Sequence, residues 1–329
     1  MTMMERRSDI DWWCLFDGYA VARVCEEGLI QSFSVVKLRL IGALTGFHSS
    51  PDRDATEIGS MGLEITHLGS GSRGNATLLS TGETRVVIDC GFSLRQMESR
   101  LAMAGVSGES IDAIIVSHHH SDHSKSAARA SKKWGARLYS NLETAMRLGL
   151  EPISEVRTFE GLERLHIADD LSLLPVPVPH DDADNVGIIA SNGDGRRAAI
   201  VTDLGEPTVE LMKHLGGCQH ISIEANYDLG RLISGPYPPA LKRRISGRGG
   251  HLSNEQTSDI LAEVLHPDLR SIVLCHLSDK NNAPHLAESE VLHQIGEDFD
   301  GVLSISGQEG PEFSNWLGQS ETEPVTTAT

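Results

Sequence analysis

The sequence predicts an α/β protein. Short apolar runs bounded by turn residues recur along the chain as buried strands, and helix-forming stretches separate several of them. A further regularity sharpens this: one strand after another ends in a histidine or an acid. The clearest case is Ile114-Ile-Val116, which runs straight into four histidines and an aspartate within six positions, His118-His-His120-Ser-Asp122-His123. In a helix, positions i and i+2 face about 200° apart, so His118 and His120 do not suit a helical metal face. They do suit a tight loop at the carboxyl end of a strand, where side chains converge. Imidazole and carboxylate are the usual ligands of zinc and similar divalent ions. Taken alone, a histidine run is as readily an exposed polar turn.

At 329 residues the chain has room for one large domain or two small ones, and 39% hydrophobic with 22% charged residues is ordinary for a globular protein. A formal net charge of −18 argues against nucleic-acid binding by bulk positive field, though not by a local basic groove. The cysteines, Cys14, Cys25, Cys90, Cys218 and Cys275, are odd in number and lack a CxxC pair. That suits free thiols in a reducing cytoplasm. No apolar run approaches the roughly 18 residues that would predict a membrane span.

The first sixty residues differ from the rest. Trp12-Trp13 opens an apolar patch that charged residues soon interrupt, and neither helical nor strand periodicity persists. A signal peptide is not predicted. Residues 1–60 are expected to be a poorly ordered extension outside the catalytic fold, joined by the polar link Ser49-Ser-Pro-Asp. Met61-Gly-Leu-Glu-Ile reads like a natural N-terminus, so this extension is expected to be dispensable, whether it is a regulatory or interaction segment or reflects an upstream start codon. The catalytic domain is expected over 61–310, with a polar tail over 311–329.

Leu63–Leu68 alternates as a strand should, and Ala76–Ser80 and Arg85–Asp89 follow as two more. Between them lies Gly69-Ser-Gly-Ser-Arg-Gly74-Asn75, which is not a P-loop because it lacks the Gly-Lys-[Ser/Thr] ending. Phe92–Met103 reads as a helix closed by Gly105. Ser124–Trp134 reads as another, with Gly135 past its end. Arg129, Lys132 and Lys133 share a face there, most simply a solvated one.

Three later strands deliver polar groups in the same way. Leu171–Val178 leads to His180, Ala198–Val201 to Asp203, and Ser271–Cys275 to His276. Asp203 could equally be a helix N-cap. Ile221-Ser-Ile-Glu224 is a further strand ending in polar groups. Lys242, Arg243, Arg244 and Arg248 crowd into seven positions of an otherwise acidic chain, beside Gly249-Gly-His251. Arg and Lys are natural partners of phosphate, and glycine admits close backbone approach.

His-x-His-x-Asp-His after a buried strand resembles the signature of the metallo-β-lactamase superfamily. Ser-Gly-Ser-x-Gly-Asn, then Ile-Asp-Cys-Gly, and finally His276-Leu-Ser-x-x-Asn-Asn282 resemble its YycJ-type (WalJ-type) branch, related to PhnP-like and nuclease members. Gly-His251-Leu-Ser-Asn resembles an element of tRNA-processing relatives. The resemblance spans roughly Leu63 to Ser306; Lys125 departs from the pattern of many members. It implies a four-layer αβ/βα sandwich and a dinuclear site for zinc or manganese. His118, His120 and His180 would hold one ion and Asp122, His123 and His276 the other, with Asp203 bridging and His119 turned away. It implies proton donation by His251, a catalytic as well as a ligating part for Asp122, and substrate positioning by Asn75, Asn282 and the four cations. Phosphodiester hydrolysis, as a nuclease or exonuclease on DNA or RNA, is the expected activity. A small cyclic phosphodiester as substrate, or a non-enzymatic metal-binding module, are the alternatives. The sequence leaves the oligomeric state open.

Overall fold

The computed structural model describes residues 62–151, 155–181, 183–311 and 314–317, together with the backbone of three strands nearer the N-terminus. The chain divides into two compact units, Met1–Ile58 and Gly59–Thr329. In the first, β1 (Ile10–Leu15), β2 (Tyr19–Val24) and β3 (Val35–Val36) form a three-stranded antiparallel sheet. The sequence reading found no sustained period there. Most of the expected poorly ordered extension lies outside the described residues.

The second unit carries two seven-stranded sheets. Its strands begin with β4 (Leu63–Gly69), β5 (Ala76–Ser80), β6 (Arg85–Ile88), β7 (Ala113–Ile115), β8 (Arg137–Asn141) and β9 (Arg157–Phe159). They continue with β10 (Leu165–Ala168), β11 (Leu171–His180), β12 (Ala183–Asn192), β13 (Arg197–Val201) and β14 (His220–Glu224). The last are β15 (Ser271–Cys275), β16 (Val302–Ile305) and β17 (Ser314–Leu317). The first sheet has the order β17-β4-β5-β6-β7-β8-β9 and the second β10-β11-β12-β13-β14-β15-β16. Each sheet is antiparallel at one side and parallel at the other. β17 extends the first sheet past the expected boundary at 310, pairing Leu317 with Leu63. Four residues with two apolar side chains are too short a run to show a period.

Three apolar clusters define the layers. The middle one draws Ile65, Leu79 and Ile115 from the first sheet and Leu173, Ile188 and Ile200 from the second, so the sheets pack face to face. On the outer face of the first sheet, α1 (Leu94–Met103) and α3 (Ala127–Trp134) bury Met97, Leu101, Ala130 and Trp134, and α4 (Leu142–Arg147) adds Ala145. On the outer face of the second, α5 (Val209–Leu215), α8 (Asn254–Val264) and α9 (Pro284–Ile295) bury Leu211, Leu261 and Val291. Helix, sheet, sheet, helix is the four-layer αβ/βα sandwich that the family resemblance implies. Removing a fully buried leucine such as Leu261 from its cluster would cost about 2–5 kcal/mol.

Helix ends follow local chemistry. Ser93 and Ser253 close capping boxes with Gln96 and Gln256. Gly105 and Gly135 take the left-handed conformation expected just past α1 and α3. Two short helices, α6 (Leu229–Ser234) and α7 (Pro239–Ile245), stand apart from these layers, and α7 buries none of its residues.

Parallel strands send their carboxyl ends to one edge of a sheet, where open α/β folds place their sites. The strands β6, β7, β13, β14 and β15 therefore deliver Asp89, His118, Asp203, Glu224 and His276 to neighbouring positions.

Candidate metal centre

His118 and His120 leave β7 in extended and loop backbone, whereas Asp122 and His123 belong to the single helical turn α2 (Ser121–Ser124). The loop is held close against the first sheet. Asn75 N–H donates to Asp122 O at 2.8 Å and Cys90 N–H to His123 O at 2.6 Å. A Cβ at Gly91 would lie 1.7 Å from Asp122 O, so only glycine fits there.

Among the described residues, five non-glycine residues take positive φ, and four of them stand at strand ends around this loop: Asp89, Asp181, Asp203 and His276. Each left-handed residue costs about 1–3 kcal/mol and persists only where its surroundings over-determine it. Here the turn directs each side chain away from its strand toward a shared centre. The helix-cap alternative for Asp203 does not hold, since α5 starts at Val209 and is capped by Thr208.

Among the described residues, the ligand atoms fall into four overlapping groups, of which one joins Asp203, Glu224, His251 and His276 and two match the expected metal positions. In the first, His120 Nδ1 lies 2.9 Å from His118 Nε2 and 3.3 Å from His180 Nε2. The second contains Asp122, His123 and His276. Asp203 stands between them, with Oδ2 2.8 Å from His123 Nε2 and Oδ1 3.7 Å from His180 Nε2 and 3.6 Å from His276 Nδ1. All seven sequence-predicted ligands are thus brought together. His119 joins none of these groups.

The donor set suits divalent cations. His180 Nδ1 donates to Gly250 O at 2.9 Å, and a carbonyl only accepts, so the Nε2 of neutral His180 is a bare lone pair. His120 Nε2 faces Asp181 Oδ2 at 3.2 Å, which likewise leaves Nδ1 unprotonated. Two lone pairs facing each other at 3.3 Å repel unless a cation lies between them. In the second group, His276 Nε2 is buried and has no hydrogen-bond partner.

Electrostatics agree. Burial, reinforced by the neighbouring imidazoles, pushes His118 well below the usual histidine range and keeps it neutral. Burial would also lower His276, but Asp203, Asp122 and Glu224 push it up to about 10. Asp203 is fully buried, which disfavours its charge, yet His276 and His123 hold it well below the usual carboxylate range. The protein thus surrounds a buried anion with cationic imidazoles, a role divalent ions take over when they bind.

Sequence reasoning missed three supporting acids. Asp89 Oδ2 lies 2.6 Å from His123 Nδ1. Glu224, with none of its side chain exposed, accepts from His276 Nδ1 at 2.9 Å and from His251 Nδ1 at 2.7 Å. Asp181 faces His120. Carboxylates behind ligating histidines fix the tautomer and raise basicity. Their signal was present, because Asp89 and Glu224 stand at strand ends like the ligands themselves.

A cavity of about 220 Å³ opens over the centre. Its walls include His120, Asp122, Asp203, His251 and Arg244, with Ser72 of the glycine-rich turn. His251 lies on this wall, and Asp203 Oδ1 is 3.7 Å from its Nδ1. Gly250 beside it is pressed against α7, where a Cβ would lie 2.1 Å from Ile245 O.

The expected substrate residues divide. Arg244 lines the cavity and forks onto Asp181 at 2.7 and 3.2 Å. Lys242 instead donates to Ile233 O at 2.6 Å and Gly235 O at 2.7 Å, closing the end of α6. Arg248 pairs with Glu206 at 2.6 Å, beside a separate cleft, and Arg243 is exposed. Asn75 is buried, with Nδ2 3.0 Å from His123 Nε2 and its backbone N–H on Asp122 O, so it positions the metal loop. Asn282 is buried in a reciprocal pair with Asn254 and also donates to Ala225 O, a support beneath the site. Sequence order could not separate these roles, because they depend on which way each side chain leaves its loop. The described thiols Cys90, Cys218 and Cys275 are free and buried, while Cys14 and Cys25 fall outside the described side chains. No helix among the described residues is long and apolar enough to cross a membrane.

Comparison with known proteins places this geometry. Residues 84–276 match the model of the Beta-lactamase superfamily domain. The chain is 30% identical over 246 residues to the exodeoxyribonuclease YycJ of Bacillus anthracis, covering 74% of this chain and 92% of that protein. It is 31% identical over 248 residues to the exodeoxyribonuclease WalJ of Streptococcus pneumoniae, covering 74% and 91%. Among solved structures, the metallo-β-lactamase fold protein YhfI from Bacillus subtilis superposes with a TM-score of 0.59 at 16% identity, over 78% of this chain and 99% of that one.

Proposed function

The chain belongs to the metallo-β-lactamase superfamily, and on that premise we propose that it hydrolyses phosphodiester bonds in DNA with two divalent metal ions. One observation carries the reading: two groups of metal ligands, joined by Asp203, share a single cavity wall with His251. The names of the two curated relatives favour DNA as the substrate.

Bound at these ligands, two ions, zinc or manganese by ligand type, supply Lewis acidity and ease the deprotonation of water near neutral pH. His118, His120 and His180 would hold one, Asp122, His123 and His276 the other, and Asp203 both. The protein's own groups do the rest. Arg244 meets a non-bridging oxygen of the phosphate at the cavity mouth. His251 gives Nδ1 to Glu224, so Nε2 is the nitrogen left for the leaving oxygen. Burial works against a charged His251, but the Glu224 carboxylate outweighs it and raises its pKa above the ordinary value. A general acid must carry the proton it delivers, which a raised pKa favours, and such transfer contributes about 10²–10⁴-fold. Glu224 stays ionised despite full burial because His251 and His276 both address it.

The catalytic body in this reading is the second unit, with residues 1–58 outside it, and the buried free thiols agree with a cytoplasmic setting. The test is a panel of end-labelled single- and double-stranded DNA, RNA and cyclic phosphodiesters. Metal-dependent shortening of DNA supports the proposal. Cleavage of a cyclic phosphodiester alone would replace it with a small-molecule activity, and no hydrolysis of any substrate would leave a metal-binding module.

A further inference from the structure

Asp181 follows His180 directly and takes φ 48°, with its N–H donating to Gly249 O at 2.7 Å. That turn lifts its carboxylate off the β11–β12 hairpin and onto the cavity wall. There it meets two partners at once. Oδ2 lies 3.2 Å from His120 Nε2. The same carboxylate receives Arg244 Nη2 at 2.7 Å and Nε at 3.2 Å, a fork that leaves Nη1 for another acceptor.

The three imidazoles of the first ligand group are held differently. His118 is fully buried, with Nδ1 3.0 Å from the Ser117 hydroxyl. His180 is buried and tied to Gly250 O. His120 is 29% exposed, and its outer nitrogen faces Asp181. Packing therefore contributes least to the orientation of His120, and Asp181 most. Stability alone does not account for the Asp181–Arg244 pair, because Arg244 is 63% exposed and surface ion pairs contribute little.

We propose that Asp181 is a positioning residue with two tasks. It holds the His120 ring so that Nδ1 faces the first metal position, and it presents Arg244 Nη1 to a phosphate oxygen beside that metal. Ligand orientation and phosphate recognition then share one carboxylate. This rests on the metal reading of the site given above.

The test measures Zn²⁺ binding by chelator competition, the melting temperature of the metal-free protein, and KM for bis-p-nitrophenyl phosphate. Asp181→Asn should weaken one of the two Zn²⁺ equivalents by about 10–100-fold, the usual effect of losing such a partner. The metal-free melting temperature should not move. Arg244→Gln should keep both Zn²⁺ affinities and raise KM, and Arg244→Lys should not restore it, since a point charge lacks the fork. Asp181→Asn should also raise KM, and the double variant should be no worse than Asp181→Asn alone. Wild-type Zn²⁺ affinity in Asp181→Asn, or additive KM effects, would overturn the proposal, as would a fall in the metal-free melting temperature that tracks the metal loss. The Zn²⁺ readout does not depend on hydrolysis. A chain that binds two Zn²⁺ in an Asp181-dependent way but cleaves no phosphodiester contradicts only the proposed function.

Discussion

Glu224 Oε1 lies 2.7 Å from His251 Nδ1, joining a buried carboxylate to the cavity histidine that the proposed ligand set leaves out. The same oxygen accepts from His276 Nδ1 at 2.9 Å. His251, the proposed proton donor, and His276, a proposed metal ligand, therefore share an anchor.

That sharing separates two variants. His251→Ala should keep both metals and lose about 10²–10⁴-fold in kcat, the worth of a general acid. Glu224→Gln should lose kcat and, through His276, also weaken metal binding by about 10–100-fold. Rate and metal-affinity measurements on both variants check this. A Glu224→Gln protein with unchanged metal affinity would remove the link to His276.

The four cations should not behave alike. Arg244→Gln should raise KM for bis-p-nitrophenyl phosphate and for DNA. Arg243→Gln and Arg248→Gln should affect long DNA only, each lowering the salt slope of binding by about one ion. Lys242→Gln should leave the slope unchanged and loosen the α6–α7 hairpin, because its ammonium is bound to backbone carbonyls. Salt titrations of DNA affinity for each variant decide this, and equal slopes for all four contradict it.

A buried histidine pair links the sheets. The Ser222 hydroxyl lies 2.8 Å from His67 Nε2 and 2.6 Å from His220 Nε2. Burial depresses His67 to about 4, and burial with the His67 charge depresses His220 to about 3, against an ordinary 6.5. The unfolded chain thus binds more protons than the folded one between pH 6.5 and about 4, so stability falls as pH drops through that window. At pH 5 each histidine should cost about 2 kcal/mol relative to pH 7, not additively, since the two share Ser222. Urea unfolding of wild type and of His67→Asn/His220→Asn at both pH values tests it. The double variant should show the shallower pH dependence; equal dependence contradicts the account.

Much of this was legible in the sequence because strands write their pattern plainly. β5 and β15 were placed to the residue, and each ligand followed an apolar run that had to be buried. What was not legible depends on backbone conformations that no residue type announces. Asp89, Asp181, Asp203 and His276 are not glycines, yet all adopt positive φ. Only that turn reveals that Asp181 faces His120 and Asp89 faces His123. The basic cluster divides for a related reason: seven consecutive positions on a short helix and its exit point in different directions, so adjacency in sequence did not mean a shared partner.

Among the described residues, the groups of the site all lie after Met61. A chain truncated to begin at Met61 should fold and hydrolyse phosphodiesters like the full chain. Circular dichroism and kcat/KM check this. An insoluble or inactive truncated protein beside an active full-length one would assign the first unit a structural role.

The most direct measurement is a metal titration. Protein stripped by chelator receives Mn²⁺ or Zn²⁺ in sub-stoichiometric steps, and hydrolysis of end-labelled DNA is followed at each step, with Asp203→Ala in parallel. The account predicts no activity without metal, a rise that saturates at two equivalents, and no recovery in Asp203→Ala at any metal concentration. Activity that persists in the stripped protein, saturates at one equivalent, or survives in Asp203→Ala would contradict it.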